Sequence, residues 1–217
     1  RVAAMRPRVG RMGAVVAHHP QPALGHLHRP EFGAQAGVEL ARYVHGDALD
    51  LSAIPDESHD AVLLMGPLYH LLGEEERRCA ALEARRVLKV GGPVFAAFIT
   101  RYGPLRFAAK TQPDLLLTGD PTGQVLLATG QHRPKPGGRF TRAYFAHPGE
   151  IVPLMESCGF RTLGMVGCEG LVSQIEEQVN ELTGELWEAW VDLNYNAGQD
   201  PYLYGAAEHL LYIGKKE

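Results

Sequence analysis

The sequence predicts an α/β fold, a mostly parallel sheet with helices wound over both faces. Three observations carry this. Two apolar runs, residues 60–65 and 93–99, are bounded by turn residues and suit strands covered on both sides. The stretch between them, residues 74–89, has helical period, and strand, helix, strand with a short return is a right-handed crossover. The length of 217 residues suits one domain, and 45% apolar with 21% charged residues is ordinary for a globular chain.

The elements follow in order. Residues 1–37 are rich in Arg, His, Pro and Gly, and only 13–17 could form a short buried strand. Residues 20–37 are cut by prolines and read as loop or poorly packed helix. Residues 40–45 read as a short strand. In the helix over 74–89, Ala80, Ala84, Val87 and Leu88 share one face. Glu74, Glu75 and Glu76 suit its positive end, Arg85, Arg86 and Lys89 its negative end, and Gly91-Gly92 stops it. Residues 102–142 carry five prolines with short helical pieces between them, and a connection this long usually belongs to a site. A helix is expected over 148–158, opened by Pro148, strained at Pro153 and capped by Gly159, then a strand over 160–166. Residues 173–193 predict one amphipathic helix, with Ile175, Val179, Leu182, Leu186, Trp190 and Leu193 at helical spacing and Gly184 weakening it by about 1 kcal/mol. A loop over 194–207 and a last strand over 208–214 complete the chain.

Composition excludes some functions. A net charge of −4 leaves no basic footprint for a nucleic-acid partner. Three cysteines, Cys79, Cys158 and Cys168, form no C-x-x-C pair and read as reduced intracellular thiols. No apolar run nears the ~20 residues of a membrane span, and no signal peptide is visible. A cytoplasmic protein is therefore expected. The oligomeric state is not legible. The chain begins at Arg1 and not Met, so a missing N-terminus is also expected.

Several groups could carry chemistry. Asp47, in Gly46-Asp47-Ala48, is a carboxylate at a strand's carboxyl end, where open α/β sheets bind ligands, and it could accept a hydrogen bond from an exocyclic amine. It could equally start a turn. In Met65-Gly66-Pro67-Leu68-Tyr69-His70, Gly66 admits a ligand to the backbone, Pro67 fixes the chain, and Tyr69 and His70 bring an aromatic ring and a base. A solvated His70 beside a packed Tyr69 is the plain alternative. Tyr144-Phe145-Ala146-His147-Pro148 reads as an aromatic site wall or as core followed by a His147 helix cap. Asp60 reads as structural. His18, His19, His26 and His28 have no nearby acid or cysteine to complete a metal site, so no metal is expected.

The order and spacing of these motifs, with Arg85-Arg86-Val87-Leu88-Lys89-Val90-Gly91-Gly92 and the closing Ala207-Glu208-His209-Leu210-Leu211-Tyr212, resemble the class I S-adenosylmethionine-dependent methyltransferase family, in its small bacterial members. The resemblance runs from about Leu40 to Lys216. It implies a Rossmann-like methyltransferase-type fold whose last strand is antiparallel. It implies S-adenosyl-L-methionine as cofactor, with Asp47 and Ala48 at the adenine, Gly66 and Pro67 along the cofactor, and Tyr69 and His70 catalytic at a small-molecule acceptor. Domain limits follow: an atypical segment 1–37, then a methyltransferase-like domain over 38–217 with an acceptor-side insertion at 102–146.

The family's first motif is missing. No acid followed by a Gly-x-Gly-x-Gly turn stands upstream, only Val9-Gly10-Arg11-Met12-Gly13, and Glu31 is the sole acid before Val38. Val90 stands where the family usually has Pro. The N-terminal segment is read as truncated or translated from a shifted frame, or else as a divergent one that binds cofactor poorly. Two functions stay open beside methyl transfer: a catalytically silent domain that binds partners through the helix carrying Trp187 and Trp190, and, less well supported, a nicotinamide-dependent oxidoreductase.

Overall fold

The computed structural model describes residues 46–117, 119, 121–134 and 141–217. The segment 1–37, its histidines and the expected strands at 13–17 and 40–45 lie outside the described residues. The described chain runs β1 (Val62–Leu64), α1 (Pro67–His70), α2 (Glu74–Val87), β2 (Pro93–Ile99), α3 (Gly103–Thr111) and, after a 3-10 turn at Pro113–Leu117, α4 (Thr122–Thr129). It continues with β3 (Gln131–His132), β4 (Ala143–Tyr144), α5 (Pro148–Ser157), β5 (Phe160–Gly167), a 3-10 turn at Gly170–Val172, α6 (Glu176–Asn180), α7 (Gly184–Gly198), a 3-10 turn at Pro201–Ala206 and β6 (His209–Lys216).

The main sheet has the order β1-β2-β6-β5. β1 and β2 are parallel neighbours, with Leu64 opposite Ala96. β6 runs antiparallel to both β2 and β5. Three strands therefore point one way and only β6 is reversed. The expectation of a largely parallel sheet with an antiparallel last strand is borne out.

Strand alternation decides the layers, because successive side chains leave opposite faces. Val94, Ala96 and Phe98 on β2, and Leu210 and Tyr212 on β6, point to one face, each at most 2% exposed. Ala80, Ala81 and Ala84 of α2 and Ile151 and Met155 of α5 close that face. The small alanines let α2 lie close against the β-branched and aromatic strand residues. Val166, Leu211 and Ile213 point to the other face, where α7 lies over them. Helices thus cover both faces, as a doubly wound sheet requires. β3 and β4 form a separate two-stranded ribbon. Its continuation locks onto the end of β2: the Ala146 N–H donates to the Ile99 carbonyl at 2.8 Å, and the Arg101 N–H to the Ala146 carbonyl at 3.0 Å.

Helix ends follow their local chemistry. Glu76 accepts the Gly73 N–H at 2.8 Å and so caps α2. His147 caps α5, its Nδ1 accepting the Gly149 N–H at 3.1 Å. Pro153 lies inside α5 without ending it. Gly159, at φ 82°, provides the left-handed turn into β5.

One element differs from expectation. The single helix expected over 173–193 is two helices. Thr183 is extended, at φ −141° and ψ 163°, and Gly184 follows at φ 60°. A β-branched residue beside glycine is a weak point in any helix, and here the periodicity of the apolar residues runs across a real break. The second helix also continues to Gly198, and a 3-10 turn follows. The expected loop over 194–207 is therefore largely helical.

Candidate functional site

The site is built at the carboxyl ends of β1 and β2, where a parallel α/β sheet opens a crevice. β1 ends at Met65-Gly66. Gly66 has φ 132° and ψ −53°, a conformation that favours glycine. Pro67 opens α1, which carries Tyr69 and His70. The Tyr69 ring folds back over Gly66, since a Cβ added there would stand 3.6 Å from the Tyr69 hydroxyl. Burial pushes the Tyr69 phenol up, so it stays a hydrogen-bond donor at neutral pH. Its ring centroid is 4.8 Å from that of His70.

His70 Nδ1 lies 3.4 Å from the carbonyl of Arg142. A carbonyl only accepts, so Nδ1 carries the proton in this bond and Nε2 is the basic nitrogen of the neutral ring. The contact spans 72 residues of sequence and ties the Gly66–His70 motif to the residue that precedes β4. Ala143, Tyr144, Phe145 and Ala146 are all buried, so these residues are core, and His147 is a helix cap.

Asp47 does begin a turn. Its Oδ1 accepts the Leu49 N–H at 3.0 Å. The turn is tied to α2 by Glu83, which accepts the Leu51 N–H at 2.7 Å. Ala48, 2% exposed, belongs to the same packed cluster as Leu64 and Leu68. The turn therefore packs with β1 and α1. One oxygen of Asp47 is used locally, and the carboxylate as a whole is half-buried and acceptor-only. That acceptor suits the amino edge of a heteroaromatic ring laid against the turn. Asp60 is a surface residue, paired with Lys89 at 2.6 Å.

A buried polar network supports the site, and motif reading missed it. Arg77, 5% exposed, donates from Nη1 to the carbonyls of Leu71 and Leu72 at 3.0 and 2.9 Å, fixing the chain just after α1. Its guanidinium stacks 3.4 Å over the Tyr144 ring. The Tyr144 hydroxyl donates to Glu150, which also receives Arg101 Nη2 at 3.2 Å. Burial and the Glu150 carboxylate push the Tyr144 phenol up to about 12. Arg101 directly follows the end of β2, and Glu150 is the third residue after the His147 cap. The H-x-x-E spacing was the only signal that could have pointed to Glu150. Thr100, fully buried, closes the floor: its hydroxyl donates to the Ala207 carbonyl at 2.7 Å and accepts the Gly103 N–H at 3.2 Å.

Residues 11–96 match the family model described as a methyltransferase domain. The match, 86 of 217 residues, is a similarity over less than half of the chain. It covers β1, α1, α2 and most of β2, and it starts inside the segment whose composition is atypical. A search of the curated proteins finds no match. Among solved structures, the chain is similar to an S-adenosylmethionine-dependent methyltransferase of Methanosarcina mazei, with 18% identity, TM-score 0.50, and coverage of 82% of this chain and 68% of that one. It is similar also to one of Thermotoga maritima described as a possible histamine N-methyltransferase, with 21% identity, TM-score 0.50, and coverage of 86% and 68%. At these identities the likeness shows the fold. The family resemblance and the fold type expected from the sequence are borne out.

Proposed function

We propose that the protein transfers a methyl group from S-adenosyl-L-methionine to a small-molecule acceptor. The observation that carries this is the methyltransferase-domain match over residues 11–96, whose carboxyl half holds the Gly66–His70 motif. When bound, the cofactor supplies an electrophilic methyl on a sulfonium. The chain's residues do the rest. Asp47 accepts a hydrogen bond from the adenine amine, and buried Ala48 packs beside the ring. Gly66 and Pro67 wall the cofactor. Tyr69 donates a hydrogen bond and orients the acceptor. His70 Nε2 takes the acceptor's proton where it carries one. Most of the acceleration comes from holding donor and acceptor in line.

Cofactor affinity in this chain is proposed to be low. The sequence lacks the glycine turn and the acid that would hold the ribose, two anchors worth about 1–3 kcal/mol each. Together they separate a micromolar site from a millimolar one, since each ~1.4 kcal/mol is tenfold. Calorimetric titration with S-adenosyl-L-methionine tests this, and micromolar binding would refute the weakened site. The reaction itself is tested by release of S-adenosylhomocysteine at saturating cofactor with a panel of small nucleophiles. Bound cofactor without turnover across the panel would favour the silent binding domain instead.

A further inference from the structure

The face of the sheet under α7 holds a cavity of about 470 Å³ whose lining includes neither Gly66 nor His70. Its floor is Val166, Leu211 and Ile213, and its roof is Trp187 and Trp190. The cavity has a physical cause. The carboxyl end of α7 is pinned against β5: a Cβ on Gly198 would lie 2.5 Å from the Gly167 carbonyl oxygen. Asn194 adds two bonds, accepting the Leu171 N–H at 3.0 Å and donating to the Cys168 carbonyl at 3.1 Å. The amino half, which carries the two indoles, stands off. Trp187 and Trp190 are left 36% and 37% exposed over an apolar floor.

Charge around this cavity is mostly acidic, with two cations of α3 at its margin: Lys110 donates to the Gln174 carbonyl at 3.0 Å and Arg106 to the Ser173 hydroxyl at 3.1 Å. Between Arg161 and Lys215 the sequence contains no Lys or Arg, while Glu176, Glu177, Glu181, Glu185, Glu188 and Asp192 lie on α6, α7 and the turn between them. Among the described residues none of these six carboxylates is in an ion pair. Glu176 lines the cavity itself. One of its oxygens accepts the Gln174 N–H at 3.0 Å, and the other has no hydrogen-bond partner among the described residues. Glu169, also in the lining, is already held by His209.

We propose that this cavity binds a small organic cation, an ammonium with an apolar or aromatic body. The body seats on Val166, Leu211 and Ile213, the indole faces receive the charged head, and Glu176 neutralises it. Indole is the strongest cation–π partner among side chains, and unpaired carboxylates around an aromatic roof attract cations and repel anions. The volume is in the range of small-molecule sites. The proposal stands apart from the methyl-transfer reading.

The test uses the protein without cofactor. Trp187 and Trp190 are the only two tryptophans in the chain, so indole fluorescence reports this cavity alone. Benzyltrimethylammonium is the probe, with benzyl alcohol and benzoate as neutral and anionic counterparts. The expected result is a saturable emission change, about tenfold tighter for the cation than for the alcohol and weakening with salt. Benzoate should not bind. Glu176→Gln should weaken the cation severalfold and leave the alcohol unchanged, and Trp190→Leu should lose the cation in calorimetry while keeping the circular dichroism of the parent. Equal affinity for cation and alcohol, no saturable change with the cation, or full cation preference in Glu176→Gln would overturn the site. So would a basic amphipathic peptide that binds where the small cation does not, which would mark a protein-docking surface.

Discussion

Thr100 shows how much can rest on one hydroxyl. It is fully buried, donates to one backbone carbonyl and accepts one backbone N–H, and so ties the end of β2 to the start of α3 and to the residue preceding Glu208. Thr100→Val keeps the shape and strands both partners, so stability should fall by about 2–4 kcal/mol, read as a lower midpoint in denaturant. Asp47 has two jobs to separate. Asp47→Ala should cost the turn about 1 kcal/mol through the lost Leu49 contact. If it also reads adenine, it should weaken cofactor binding by a further ~1.5–3 kcal/mol in calorimetry, and unchanged affinity would remove it from the site. At this scale the motifs of residues 46–48 and 65–70 were legible, because each is a short run with its own local chemistry. Arg77, Arg101 and Glu150 were not, and neither was their link to Tyr144. Their meaning lies in contacts between segments up to 67 positions apart, as with Arg77 on Tyr144, and no local pattern encodes that.

Among the elements, α2, β2 and α5 were readable from periodicity and caps, and their limits agree with expectation to within two residues. The α6–α7 pair was not, because a 3.6-residue rhythm survives a three-residue interruption and hides it. The glycine that decides the packing is not Gly184 but Gly198. Its Cα faces the Gly167 carbonyl so closely that a methyl group cannot enter without moving α7. Gly198→Ala should therefore destabilise the protein by about 1–3 kcal/mol even though alanine is the better helix former. The check is paired: a lower thermal midpoint together with a shifted indole emission, since the same displacement moves Trp187 and Trp190.

Across the whole molecule, β6 holds the sheet together and carries its pH sensitivity. His209 Nδ1 and Glu169 Oε1 are 2.6 Å apart, joining β6 to the end of β5. The bond to Glu169 raises the histidine above its ordinary 6.5, against the effect of burial. Burial alone would raise Glu169, but the bonds from His209 outweigh it and leave the carboxyl below 4.5. The histidine's contribution is complete below pH 6.5 and is lost as pH rises through its raised value. The carboxylate's is complete above pH 4.5 and is lost as pH falls through its lowered value. The thermal midpoint gap between the parent and His209→Gln should thus be widest near about pH 5.5 and narrower near about pH 9, the ordinary calorimetric comparison. The sheet order itself was legible in outline, since a parallel crossover and a terminal apolar strand leave few arrangements. The placing of β6 between β2 and β5 has a further result. Both neighbours precede it in the chain, and each has an unpaired edge until it arrives. During synthesis, then, the amino-proximal strands must wait with open hydrogen-bonding edges until the ribosome has released residue 216. A protein stalled a few codons short should be a client for chaperones rather than a nearly finished fold.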